Sequence, residues 1–172
     1  MTEDLSIRPF KDGDKLSVRN LFIQINRLIA PKGMEQQFED YIERSLAEEI
    51  DCIPEYYKQH HGSFWITEQN GMLKGMFGLE KWGDDGMELR RMYVDPDTRR
   101  QGIAGRMLSF AENHCRKNSI KQLHLSTSEL QPAALSLYKN AGYPITHEEQ
   151  ADTASNKTIG GGIRRYYFTK TL

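Results

Sequence analysis

The chain has 172 residues, among them 14 glycines, 6 prolines and 2 cysteines, with a formal charge of −1. That length suits one domain of roughly 150 residues, able to bury about 70% of the surface its unfolded chain would expose. Its mean hydropathy of −0.68 and ordinary Gly and Pro content exclude collagen-like, low-complexity and disulfide-stapled chains, and no run approaches the roughly 18 apolar residues of a membrane span. The start, Met1-Thr-Glu-Asp4, is acidic where a signal peptide would be basic. Cys52 and Cys115 form no CxxC or metal-ligand spacing, which suits a reducing compartment. A cytoplasmic location is therefore expected, with no membrane partner, and the near-neutral charge makes no case for nucleic acid. The sum hides two poles: residues 35 to 55 hold eight acids against Arg44, and residues 90 to 106 hold five arginines against Asp95 and Asp97.

In chain order, Leu5 to Phe10 alternates and predicts a short strand, which Pro9 places at a sheet edge or strand end. From about Asp14 the period becomes helical through Leu21, Phe22, Ile25, Leu28 and Ile29, and Pro31-Lys-Gly33 stops it. Met34, Phe38, Tyr41 and Ile42 predict a second helix to about Glu49, and Pro54 opens a helical turn through Lys58. Ser63 to Thr67 is rich in β-formers, and Asn70-Gly71 is a strong hairpin signal leading into a long strand from Met72 to Trp82. Gly83 to Gly86 turns the chain again, and Met87 to Val94 returns as a strand that Asp95-Pro96 ends. A helix through Ile103, Met107, Leu108, Ala111 and Cys115 follows. After it come a strand from Gln122 to Thr127, a helix from Pro132 to Asn140, and a further strand beyond Gly142-Tyr143. Residues 150 to 162, polar and ending in three glycines, predict a flexible loop, and Arg164 to Thr171 alternates as a last strand. No repeat or linker divides the chain, so residues 1 to 172 are expected to form one α/β (α+β) domain.

The stretch from Met92 to Leu108 carries the chemistry. A strand feeds a loop that opens directly into a helix. Helix starts normally carry Asp or Glu, because their free N–H groups are partly positive. Here the helix opens on Arg99, Arg100, Gln101 and later Arg106, with no acid after Asp97. Gly102, Ala104 and Gly105 leave the amides bare. Bare amides, helix dipole and arginines together suit a phosphate or pyrophosphate; read from the residues alone, a glycine-rich turn with surface arginines competes with that assignment. Neither a P-loop nor a dinucleotide-binding glycine pattern is present.

At these residues the sequence resembles the GNAT superfamily of acyl-CoA-dependent N-acyltransferases. The family's pyrophosphate loop (Gln or Arg, two variable residues, Gly, one variable residue, Gly or Ala) is matched by Arg99-Arg-Gln-Gly102-Ile-Ala104. Glu88 to Pro96 looks like its fourth strand, Gln131 to Tyr143 like its later helix, with Gln131 replacing the commoner Asn, and Tyr166 to Lys170 like its last strand. The resemblance implies a mixed, strongly bent central sheet with helices on both faces. It also implies transfer of an acetyl group from acetyl-CoA to a primary amine of a small molecule or peptide, by direct attack in a ternary complex, and it allows a homodimer. Implied cofactor contacts are Met92, Tyr93 and Val94, residues Arg99, Arg100, Gln101, Gly102, Ile103, Ala104, Gly105 and Arg106 of the loop, then Gln131 and Tyr138. The Val94 N–H would meet the thioester oxygen.

Tyr138 falls at the family's position for a general acid near the sulfur, although by helix periodicity alone it is a core aromatic. Glu88 falls where some members place a general base, with Glu80 or a water as alternatives. No metal is expected: His60-His61 has no partner at ligand spacing. A catalytically silent acyl-CoA-binding sensor would carry the same cofactor motifs. Glu35, Glu39 and Glu43, an acidic row on the second helix, give the expectation of a cationic acceptor.

Overall fold

In the computed structural model, which describes residues 4–98 and 100–172, seven strands form one sheet in the order β1-β2-β3-β4-β5-β7-β6. The strands are β1 (Ser6–Pro9), β2 (Ser63–Gln69), β3 (Met72–Trp82), β4 (Gly86–Val94), β5 (Gln122–Ser128), β6 (Ile145–Ala151) and β7 (Ile163–Thr171). The helices are α1 (Lys15–Ile29), α2 (Glu35–Glu48), α3 (Ile53–Gln59), α4 (Ile103–Lys117) and α5 (Pro132–Asn140). Asn70 (φ 54°) and Gly71 (φ 71°) take the left-handed backbone that a tight β2–β3 turn requires. β1 lies at the sheet edge, where Pro9 withholds no needed donor. All neighbouring strands pair antiparallel except β4 and β5. No helix among the described residues is long and apolar enough to cross a membrane.

The sheet separates two cores. Phe77, Leu79, Leu123 and Phe168 face α4 and α5, where Met107, Leu108, Ala111 and Cys115 are buried. Phe64, Ile66 and Met76 face α1, α2 and α3 through Phe22, Ile42 and Tyr57. β3 is buried on both faces, as a central strand must be. At Gly78 an added Cβ would lie 2.2 Å from the Tyr57 hydroxyl oxygen, so the bare backbone is what lets that ring settle against the sheet.

A charged cluster lies under the N-terminal helices. Glu49, immediately after α2, is fully buried, and Arg90 and Arg91 of β4 are 7% exposed. The Glu49 carboxylate meets Arg90 Nη2 at 3.0 Å and Arg91 Nε at 3.0 Å, and accepts a hydrogen bond from the Tyr57 hydroxyl at 2.9 Å. Arg91 also donates to the Tyr41 hydroxyl at 2.6 Å and lies over the Phe22 ring. The two arginines therefore belong to this cluster rather than to an arginine pole around the α4 loop. Burial opposes the charged form of Glu49, but Arg91 and Arg90 outweigh it and hold the carboxyl below its ordinary value.

Removing one partner of such a cluster leaves uncompensated buried charge, at about 3–5 kcal/mol. Glu49→Ala is expected to lose that much stability in urea unfolding at neutral pH; a loss within experimental error would mean that the arginines find other partners. The pH sign follows from the lowered carboxyl. Its stabilisation is complete above the ordinary value near 4.5 and fades as pH falls through the lower folded value. The difference between parent and Glu49→Ala should accordingly shrink in acid.

Candidate active-site cleft

β4 and β5 are paired only at Gly86↔Gln122, Met87↔Leu123 and Glu88↔His124. Beyond Glu88 the two strands part. The cause is visible in β4: Arg91 has φ 53°, and its register against β3 shifts between Met76 and Gly78, so β4 carries an extra residue there. A bulge of this kind bends a strand and ends its pairing on the far edge. A left-handed backbone at a residue other than glycine costs about 1–3 kcal/mol, and the buried guanidinium contacts hold it in place.

The bend leaves a cleft with an internal volume of about 100 Å³ between the end of β4 and the end of β5. Met92 and Tyr93 line one wall, Ser126, Thr127, Ser128 and Gln131 the other, and Tyr138 and Ala134 of α5 border it. The Asp95 N–H bonds to the Lys74 carbonyl on β3 at 2.9 Å. Because N–H direction alternates along a strand, the Val94 and Met92 N–H groups point to the opposite edge, which β5 has vacated. The Tyr93 side chain turns to the other face, edge-on to Phe22 and 3.5 Å from Asn26 Nδ2.

From Val94 the chain passes through a short turn to the start of α4. Gly102 (φ 74°) and Arg100 (φ 65°) take left-handed backbone, and no side chain caps the helix. The first helical bond runs from the Arg106 N–H to the Gly102 carbonyl at 3.1 Å, so the N–H groups of Ile103, Ala104 and Gly105 have no helical acceptor. Arg100, Gln101, Gly102 and Arg106 are exposed and Ile103 is buried. Arg106 donates to the Leu5 carbonyl at 3.1 Å, and Arg99 lies outside the described residues. Gly105 has open space where a Cβ would stand.

Tyr138 is 5% exposed, packed edge-on to Phe168. Burial, with Tyr93 adding to it, pushes its phenol well above the ordinary value, so it stays protonated at neutral pH. Glu88 lines the cleft and lies opposite Glu80 in the β3–β4 register. Both carboxylates are held by Lys157: Nζ lies 3.0 Å from Glu80 Oε1 and 3.1 Å from Glu88 Oε2. Glu80 also accepts from the Tyr56 hydroxyl at 2.8 Å and pairs with Arg90 at 3.2 Å. Burial alone would raise its carboxyl, but Arg90 and Lys157 hold it below the ordinary range.

Sequence reasoning did not single out Ser126, Thr127, Ser128, Asn156, Lys157 or Arg165, all of which line the cleft. The available signal was a polar Ser-Thr-Ser run on a strand otherwise patterned for a core. The loop at 152–162 is held more firmly than its composition implies. Arg91 donates to the Asn156 carbonyl at 2.6 Å, and Ser155 Oγ accepts from the Lys157 and Thr158 N–H groups. The acidic row of α2 does not reach the cleft. Glu39 pairs with Arg27 at 2.7 Å, Glu35 accepts from the Gly33 N–H, and from α2 only Tyr41 lines the cavity.

The chain is similar over 117 residues to rat "N-acetyltransferase family 8 member 3", at 30% identity covering 64% of this chain and 51% of the relative. It therefore spans about half that relative's length. Among solved structures, the PaiA N-acetyltransferase of Thermoplasma acidophilum in complex with coenzyme A superposes with a TM-score of 0.76 at 18% identity, covering 98% of this chain and 99% of that one. Spermidine N-acetyltransferase of Vibrio cholerae, in complex with CoA and spermine, gives 0.71 at 18% identity over 97% and 95%. These two likenesses establish the fold: one mixed α/β domain, a bent sheet flanked by helices. The model of the acetyltransferase (GNAT) family matches residues 30–143, about two thirds of the chain, and with the split sheet and uncapped α4 loop already described the chain belongs to that family of acetyltransferases.

Proposed function

We propose that this chain, as one domain over residues 1–172, transfers the acetyl group of acetyl-CoA to a primary amine by direct attack in a ternary complex. The observation that supports the reading best is the unpaired edge of β4 beyond Glu88, where Met92 and Tyr93 line a cleft a few residues before the uncapped start of α4. Pantetheine amides would pair with that edge in place of β5, and the diphosphate would take the free amides of Ile103, Ala104 and Gly105. The Val94 N–H would polarise the thioester carbonyl. Glu88 would take a proton from the incoming ammonium so that the neutral amine attacks, and Tyr138 would protonate the departing thiolate.

Release of free CoA from acetyl-CoA across a panel of polyamines, amino acids, peptide N-termini and lysine peptides tests this. Polyamines belong in the panel because one solved neighbour is a spermidine N-acetyltransferase holding CoA and spermine. Amine-dependent thiol release supports the reading. One observation favours a second reading, an acyl-CoA-binding module without turnover: Glu80 and Glu88 are already occupied by Lys157. CoA binding with no thiol release for any amine would favour it.

A further inference from the structure

Lys157 is the one lysine among the described residues that lines the cleft. Its Nζ rests between Glu80 Oε1 and Glu88 Oε2, at 3.0 and 3.1 Å, against the carboxylate that the proposed reaction uses as base. Its side chain is 47% exposed, so these two ion pairs, rather than burial, hold it there. Its backbone is fixed on both sides: Asn156 is tied to the buried Arg91, and Ser155 Oγ closes a turn over Lys157 and Thr158. The chain thus delivers a primary amine of its own to the cavity bordered by Met92 and Tyr138.

We propose that Lys157 is an acetylation site of the chain's own reaction, an intramolecular acceptor that is modified when acetyl-CoA is bound and no external amine is present. The proposal rests on the acetyl-transfer reading above. In the step, the Lys157 ammonium gives one proton to Glu88 and its lone pair attacks the thioester carbonyl carbon. The N–C bond forms, the C–S bond breaks, and the thiolate takes the Tyr138 proton. The second proton lost by the nitrogen restores Tyr138, and the proton on Glu88 passes to solvent. The products are N-acetyl-Lys157, free CoA and one proton. Amide formation removes the positive charge, so Glu88 loses its lysine partner while Glu80 keeps Arg90 and Tyr56. The cleft then presents Glu88 to a second amine.

Tethering replaces a bimolecular encounter by a local one, and well-oriented intramolecular partners react far faster than free ones. The test uses the full chain with acetyl-CoA and no added amine, followed by peptide mass mapping over time at two protein concentrations. Lys157 is expected to be acetylated about tenfold or more faster than lysines outside the cleft. Its fractional rate should not change on dilution, and Tyr138→Phe and Gly105→Glu should both slow it. An unmodified Lys157 would overturn the proposal. So would labelling no faster than at other lysines, a fractional rate that falls in proportion to dilution, or an equal rate in Gly105→Glu. Calorimetry with CoA and the amine panel on the same preparation separate the two levels. CoA binding and amine-dependent release with Lys157 untouched would remove only the self-acetylation, whereas absence of CoA binding would remove the acetyl-transfer reading itself.

Discussion

Gly105→Glu is expected to fold like the parent chain and to lose CoA affinity by about 10²-fold or more in calorimetry. The position lies in the first turn of α4, and a Cβ there meets nothing within 4 Å. A side chain can therefore start from this position without a clash at Cβ. Two like charges about 5 Å apart repel by about 3 kcal/mol at an effective dielectric of about 20, and each 1.4 kcal/mol is about tenfold in binding. Gly102 is the poorer choice, because its φ of 74° would strain any side chain whatever its charge. Gly105→Ala is the control: the same open space without charge should leave affinity close to the parent and favour the helix by up to about 1 kcal/mol. Unchanged affinity in folded Gly105→Glu would remove the diphosphate from this helix start.

Tyr138→Phe is expected to lower kcat by about 10²–10³-fold with little change in the KM for acetyl-CoA, the pattern of an interaction made in the transition state. The phenyl ring would keep its contacts, with Phe168 at 5.6 Å and Tyr143 at 6.3 Å between centroids. Only the hydroxyl is lost, and among the described residues none hydrogen-bonds to it, so the fold should not miss it. Unfolding by urea should accordingly match the parent. Steady-state kinetics with near-normal turnover would return Tyr138 to the role of a core aromatic that happens to border the cleft.

Much of this was legible in the sequence because local patterns and tertiary packing agree. The change of period near Asp14, the Asn70-Gly71 turn and the acid-free start of α4 each state locally what the fold uses. The uncapped start of α4 was legible for the same reason: its open amides lie in one stretch of chain. What could not be read depends on distant partners. Arg90 and Arg91 look like surface charge beside the other arginines until Glu49, some forty residues earlier, is folded against them. Lys157 sits in a polar, glycine-ended segment whose composition describes freedom, and only the Arg91 bond to the neighbouring Asn156 carbonyl and its own pairing with two carboxylates reveal its place. The left-handed backbone of Arg91 is equally silent in the residues themselves; a bent sheet was expected only through the family resemblance of Glu88 to Pro96.

That bend joins two properties usually free to vary separately. The residue whose backbone turns β4 away from β5 is also the residue whose guanidinium grips Glu49, Tyr41 and the Asn156 carbonyl. Loosening the grip would leave the left-handed backbone of β4 without the contacts that hold it. Relieving the backbone, as Arg91→Gly would, discards the anchor of both the α2 terminus and the Lys157 loop. A search for sturdier variants of this chain would therefore meet a cost at position 91 in both directions: one route gives up the hold on the bend, the other the anchor of two distant segments.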